Sequence, residues 1–265
     1  MTQELHVRRV AVVTGGARGL GAEIAERLAN DGFDLALLDL DGAGLERVAA
    51  EIAARVPGAA VLTIALDLAD EARIEQAFTR IDARFGRIDA LVNTAGGSGA
   101  ALVRKLSDIS LDIWRRVMDS NVTSTFLCCR GAVPIMERRG YGRIVNFSSA
   151  VANGKAGPAG TVGARLPYAA SKGAVNSLTR QLAKDLGRTG ITVNAVSPGL
   201  VLPAAGRVRD IFEALPQEAK HNTWNAIPVG RTGTGTEIAA AVAYLVSEAA
   251  GFTTGAILSV DGGEV

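Results

Sequence analysis

Val10-Ala11-Val12-Val13-Thr14-Gly15-Gly16-Ala17-Arg18-Gly19-Leu20-Gly21 is the stretch from which the fold can be read. Four small or β-branched apolar residues in a row mark a strand buried on both faces. The glycine-rich turn that follows leads into an amphipathic pattern over 22–31, which predicts a helix. Strand, glycine turn and helix in that order bring the backbone close to a pyrophosphate, whose charge meets the helix N-terminus. The spacing is T-G-x-x-x-G-x-G, with Gly15, Gly19 and Gly21 as the candidate approach points and Arg18 and Leu20 between them.

Moving outward, a second strand over 34–38 ends in Asp39. A carboxylate there accepts hydrogen bonds from ribose hydroxyls and repels a 2′-phosphate, which favours NAD over NADP. Arg18 pulls the other way, because a guanidinium in the turn can pair with a phosphate. Asp39 carries more weight, since one flexible Arg does not easily cancel a repulsive carboxylate. The pattern continues with a helix over 44–55, a strand over 60–66 closed by Asp67-Leu68, a helix over 71–85 and a strand over 88–92. That strand ends in Asn93-Thr94-Ala95-Gly96-Gly97, where small residues let a flat ring lie against backbone. Alternation at about 25 residues per unit predicts an α/β fold, a doubly wound, parallel, seven-stranded Rossmann sheet in a single domain covering 1–265.

The second half carries the candidate chemistry. A long helical pattern over 111–139 has Asn121 in its interior, where Asn is a poor helix former. A strand over 142–147 ends in Ser148-Ser149, and a glycine-rich loop over 150–167 precedes a helix over 168–188. That helix opens with Tyr168-Ala169-Ala170-Ser171-Lys172. Residues i and i+4 share a helix face, so the phenol and the ammonium can enter one cleft. A cation near a phenol favours the phenolate, and a lowered Tyr168 pKa is expected, as suits a tyrosine working as acid or base. A further strand over 191–195 leads to Pro198-Gly199.

Bulk properties narrow the function. The chain has 265 residues, 48% apolar and 21% charged, with 31 glycines, suited to one large α/β domain with close helix-on-sheet packing. A net charge of +1 provides no field to attract a polyanion, which argues against nucleic acid. Cys128 and Cys129 are adjacent, and neighbours on a helix diverge by about 100°, so two reduced thiols are expected. Without an apolar leader or an uninterrupted apolar run of membrane length, the expectation is a cytoplasmic protein with no membrane association. No metal is expected.

In these residues the chain resembles the short-chain dehydrogenases/reductases, over essentially its whole length. The segments that carry the likeness are Thr14 to Gly21, Asp67, Asn93-Thr94-Ala95-Gly96, Asn121, Ser149, Tyr168 with Lys172, Pro198-Gly199 and the terminal Val260-Asp261-Gly262-Gly263. The resemblance implies hydride exchange between NAD and a secondary alcohol or ketone. It makes Tyr168 the acid/base, with Lys172 lowering its pKa and holding the nicotinamide ribose. Ser149, the second serine of the strand-end pair, would bond the reacting oxygen, and Asn121 would place a relay water. It also implies cofactor contacts from Gly15, Arg18, Gly19, Leu20, Gly21, Asp39, Asp67, Leu68, Asn93, Ala95, Gly96, Tyr168, Lys172, Pro198, Gly199 and Val201, and a homotetramer. A 3-oxoacyl-thioester (acyl carrier protein) reductase is the alternative enzyme, and a nucleotide-sensing binding module the alternative outside catalysis.

Three departures from the family pattern concern the site. Thr94 stands where the family has a second asparagine. The loop between Ser149 and Tyr168 is enlarged. Pro203 occupies the place of a cofactor-bonding threonine. The segment 203–228 is expected to be a substrate lid. Its Arg207, Arg209, His221 and Trp224, with Lys155 and Arg165 on the enlarged loop, either point to a polar or anionic hydroxy substrate or a polyol or are solvated charges of the lid.

Overall fold

The computed structural model describes residues 8–98, 106–154 and 165–265. Lys155 and most of the expected enlarged loop lie outside the described residues, as do the side chains of Arg165 and Arg207. The first half alternates β1 (Arg9–Thr14), α1 (Gly19–Asn30), β2 (Phe33–Asp39), α2 (Gly42–Arg55), β3 (Val61–Ala65), α3 (Glu71–Phe85) and β4 (Ala90–Asn93). Then follow α4 (Leu111–Met118), a π-helical turn (Asp119–Thr123), α5 (Ser124–Glu137), β5 (Gly142–Phe147), α6 (Arg165–Asp185) and β6 (Ile191–Pro198). The chain closes with β7 (Val201–Leu202), α7 (Arg207–Glu213), α8 (Gln217–Asn225), β8 (Gly233–Thr234), α9 (Gly235–Leu245) and β9 (Ile257–Val260).

Seven strands form one parallel sheet in the order β3-β2-β1-β4-β5-β6-β9, with β7 and β8 paired separately. The expected doubly wound Rossmann architecture is therefore present, and its seventh strand is β9. Period-two alternation divides the strand residues between two helical layers. Ala11, Val13, Leu35 and Leu37 meet Ile24 and Leu28 of α1, Leu45 and Ile52 of α2 and Ile238 and Val242 of α9. Val12, Ala36, Leu38 and Ile144 meet Ile74, Phe78 and Ile81 of α3 and Leu127, Ala132 and Met136 of α5. Each Leu or Ile fully buried in this way contributes about 2 kcal/mol relative to exposure.

Cys128 and Cys129 sit within the second layer as free, buried thiols, and burial raises both pKa values, Cys129 to about 12. They are core side chains rather than nucleophiles. Among the described residues no helix is long and apolar enough to cross a membrane.

Two local differences from the sequence reading have physical causes. The pattern over 111–139 is not one regular helix, because the buried Asn121 amide bonds the Val117 carbonyl at 2.8 Å and the turn there widens to a π-helical one. The Tyr168 helix starts earlier, at Arg165, because Pro167 in a first turn needs no N–H partner. Tyr168 consequently stands at the end of that turn, with Lys172 one turn further along.

Candidate active site

The carboxyl ends of β1, β2, β4, β5 and β6 open on one cleft of about 790 Å³, at the point where the strand order reverses between β1 and β4. Ligands of open parallel sheets gather at such a switch point.

One half of the cleft is shaped by backbone. Gly15 takes φ +70° and donates to the Leu38 carbonyl at 2.7 Å, turning the chain out of β1. A methyl group on Gly21 would run into the Gly15 carbonyl oxygen. Thr94, the substitute for the family's second asparagine, donates its hydroxyl to the Thr14 carbonyl, while the Thr14 hydroxyl accepts from Ala95 N at 3.2 Å. The ends of β1 and β4 are thereby clasped together. Arg18 is the N-cap of α1 and supplies no side-chain cap, so the first amides of that helix are uncapped where Gly19, Leu20 and Gly21 meet the cleft.

Asp39 lies on the same wall with its carboxylate oriented by two amides, Ala17 N at 3.1 Å and Asp41 N at 3.0 Å. Asp67 is held by Ala69 N at 2.9 Å, and Leu68 follows it along the wall. Ala95, Gly96, Pro198, Gly199 and Val201 complete this half. The chemistry of this half fits a dinucleotide: glycines leave room for close approach, the uncapped amides are donors that would suit a phosphate, and the fixed carboxylate offers acceptors that would suit ribose hydroxyls.

The other half holds the titratable groups. Ser149 follows β5, with its hydroxyl accepting from Val151 N at 3.3 Å and hydrogen-bonded to Tyr168. Lys172 is 4% exposed, and its ammonium donates to the Phe147 carbonyl at 2.7 Å and lies 5.6 Å from the centre of the Tyr168 ring. Burial lowers the Lys172 pKa to about 8. The expected lowering of the Tyr168 pKa is reversed: burial raises it, with the Ser149 hydrogen bond pulling weakly downward. Withdrawal of the phenol from water penalises the phenolate and outweighs that hydrogen bond. Ser148 also lines the cleft, with its Oγ buried and without a hydrogen-bond partner among the described residues.

Two expected site residues lie behind the cleft wall. Asn93 does not face the cofactor half; its amide donates to Asn146 Oδ1 at 2.9 Å and to Cys129 Sγ at 3.5 Å, and Asn146 donates on to Thr179 at 2.9 Å. This chain ties β4, β5 and α6 together. Asn121 is fully buried, accepting from Gly97 N at 3.1 Å and donating to Gly97 O at 2.9 Å. It shapes the strand-end loop, and a Cβ on Gly96 (φ +130°) would collide with its Oδ1.

A model of the family described as enoyl-(acyl carrier protein) reductase matches residues 15–264. The chain is 38% identical over 257 residues to the short-chain reductase protein NovJ of Streptomyces niveus, covering 96% of this chain and 93% of that one. This chain is a short-chain dehydrogenase/reductase. A further relative of this dehydrogenase/reductase is the NAD(+)-dependent 2-dehydro-3-deoxy-L-rhamnonate dehydrogenase of Sphingomonas sp., 37% identical over 96% of this chain and 94% of that one. The crystal structure of levodione reductase superposes with a TM-score of 0.86 at 34% identity over 97% of each chain. Membership makes this short-chain dehydrogenase/reductase an oxidoreductase of hydroxy and keto groups that uses a nicotinamide cofactor.

The 203–228 segment carries α7 and α8, and Pro203, Ala205, Gly206, Val208 and Ile211 of it line the cleft. Arg209, expected on the rim, is engaged within the segment: it donates to the Pro203 carbonyl at 2.6 Å and the Leu202 carbonyl at 3.3 Å and pairs with Glu213 at 2.8 Å. Trp224 stacks at a tilt on Phe212, 6.0 Å between ring centres, and His221 is exposed away from the cleft lining. Among the described side chains of α7, Val208 and Ile211 reach the cleft, which the charge-based reading passed over. Leu40, Phe147 and Ser120 also line it without a signal in the sequence beyond their places at strand or helix ends.

Proposed function

We propose that the protein is an NAD(H)-dependent oxidoreductase that interconverts a secondary alcohol and a ketone. The observation that carries this reading is the convergence of Ser149, Tyr168 and Lys172 opposite a glycine-lined cradle. When bound, the nicotinamide supplies the hydride acceptor or donor. The chain's own residues supply the rest.

In ketone reduction, the Tyr168 phenol delivers a proton to the carbonyl oxygen, which Ser149 holds through its hydroxyl. Burial keeps the phenol protonated at neutral pH, which is the form needed for that step. In alcohol oxidation the proton returns to Tyr168, and the Lys172 cation stabilises the phenolate that accepts it. With its pKa at about 8, Lys172 keeps its charge below that pH. Lys172 and Tyr168 would hold the nicotinamide ribose. Asn121 acts by fixing the Gly97 backbone, and its place as anchor of a relay water belongs to the same reading.

The Asp39 carboxylate, oriented at the end of β2, supports a preference for NAD, since a 2′-phosphate would face it directly. Initial rates with both cofactors across a panel of alcohols and polyols test this, and a tenfold preference for NADP overturns it. The acyl-carrier wording of the family model favours a second reading, reduction of a 3-oxoacyl thioester. Asp39 opposes that reading to the extent that such enzymes take NADPH. We further propose a cytoplasmic homotetramer, supported by apolar side chains left exposed on α4 and α5, Leu111 and Phe126. Sedimentation as a monomer at micromolar concentration would contradict it.

A further inference from the structure

The geometry points to a substrate whose reacting carbon bears an apolar group of several carbons, seated against Val208 and Ile211. This rests on the reading of Ser149, Tyr168 and Lys172 as the reaction centre. Val208 and Ile211 lie three residues apart on α7 and so share a face. Both line the cleft that contains Tyr168, and they are 48% and 54% exposed. The neighbouring Phe212 is buried at 6% and covered by Trp224, so one end of the apolar stripe on α7 is filled by protein and the other end opens on the cleft.

Among the described side chains of the segment, the cations are turned away from the cleft. All three donor groups of Arg209 are used by the Pro203 and Leu202 carbonyls and by Glu213, and Lys220 donates to the Glu213 carbonyl at 2.7 Å. Pro203 and Ala205 extend the same wall with side chains that cannot hydrogen-bond. A polyol or a carboxylate placed there would leave water-bonded oxygens facing methyl groups, whereas an alkyl or ring substituent would cover them. Pro203, Ala205, Val208 and Ile211 thus offer the substrate no hydrogen-bonding side chain.

The test is NADH-linked reduction of 2-alkanones from acetone to 2-octanone, with pyruvate as the anionic counterpart of butanone. The expected result is a rise in kcat/KM of about threefold per methylene over the first members, and butanone ahead of pyruvate. In the V208S/I211S double variant, whose positions are solvent-exposed, the rise should fall below about 1.5-fold per methylene. Three results overturn the proposal: a flat series in the parent protein, pyruvate ahead of butanone, or an unchanged slope in the double variant. The last, combined with weakened NADH binding by fluorescence titration, would assign Val208 and Ile211 to the cofactor. If no ketone is turned over, the reading of the reaction centre fails separately. Calorimetric binding of 2-octanone to the NADH-loaded protein then decides the apolar site, and equal affinity for parent and double variant overturns it.

Discussion

The glycine cradle and the 203–228 segment border one cleft and are shaped by different parts of the chain. In the cradle the backbone sets the surface: Gly21 lies under the Gly15 carbonyl, Thr94 clasps the end of β1, and a single added methyl group has nowhere to go. In the segment the side chains set it: Val208 and Ile211 stand half exposed on the cleft. A group common to many reactions is held by geometry that tolerates little change. The variable part of a substrate meets side chains that can be exchanged without disturbing the core.

Substitutions can break or sharpen this contrast. The largest effect is expected where the two regions meet, at Tyr168→Phe, with kcat reduced by roughly 10²–10⁴ and NADH affinity by titration reduced no more than about tenfold, the loss of one ribose hydrogen bond. Retained turnover in the variant would remove Tyr168 from the reaction centre, and absence of turnover in the parent protein would return it to the class of nucleotide-binding modules.

Next comes Lys172→Met, read as stability against pH on the cofactor-free protein. Burial lowers the Lys172 pKa from 10.5 to about 8. Below pH 8 both folded and unfolded chains hold the proton, and the folded chain bears the whole desolvation cost. Between pH 8 and 10 the folded chain releases a proton that the unfolded chain keeps, so the Lys172 contribution rises with pH by roughly 2 kcal/mol. The Tyr168 pKa, raised above 10, opposes this only at higher pH. Denaturant titrations at pH 7.5 and 10 should show the rise in the parent and a smaller one in the variant; identical differences would mean that the ammonium is not desolvated.

Gly21→Ala should cost about 1–3 kcal/mol of stability, with loss of NADH affinity, because the new methyl group displaces the Gly15 carbonyl. Unchanged melting and binding would show that the cradle yields more easily than its geometry indicates. The smallest effect is expected at Ile211→Ser, within about 0.5 kcal/mol of parent stability. A melting temperature lowered by more than about 4 °C would place Ile211 in the structural core of the segment and erase the contrast.

Much of the fold was legible because period-two strands, glycine turns and helix spacing are local. Val10 to Gly21 specified a strand, turn and helix without help from distant residues, Asp39 and Asp67 were placed at strand ends by the alternation, and Tyr168 and Lys172 were singled out by helix spacing together with the family resemblance. The seventh strand and α9 were not located in the sequence, since Ile257–Val260 is short and half exposed and becomes a strand by pairing with β6.

Side-chain direction was the other gap. Asn93 reads as a cofactor contact by its place at a strand end, yet Asn146, distant in sequence, offers its amide a buried partner. Arg209 reads as a rim cation, yet the carbonyls of residues 202 and 203 turn it inward. The Tyr168 pKa was misjudged for a different reason: helix spacing brings the ammonium near the phenol, but burial of the phenol is the larger cause and raises its pKa.

The small parallel pair Val201–Leu202 and Gly233–Thr234 has a bearing on how such an enzyme can be altered. It buttons the chain together on both sides of the intervening helices, with Leu202 opposite Thr234. The helices between these two short strands therefore form a cassette with fixed ends. Exchanging its contents rewrites what enters the cleft while leaving both the sheet and the cofactor cradle in their original register.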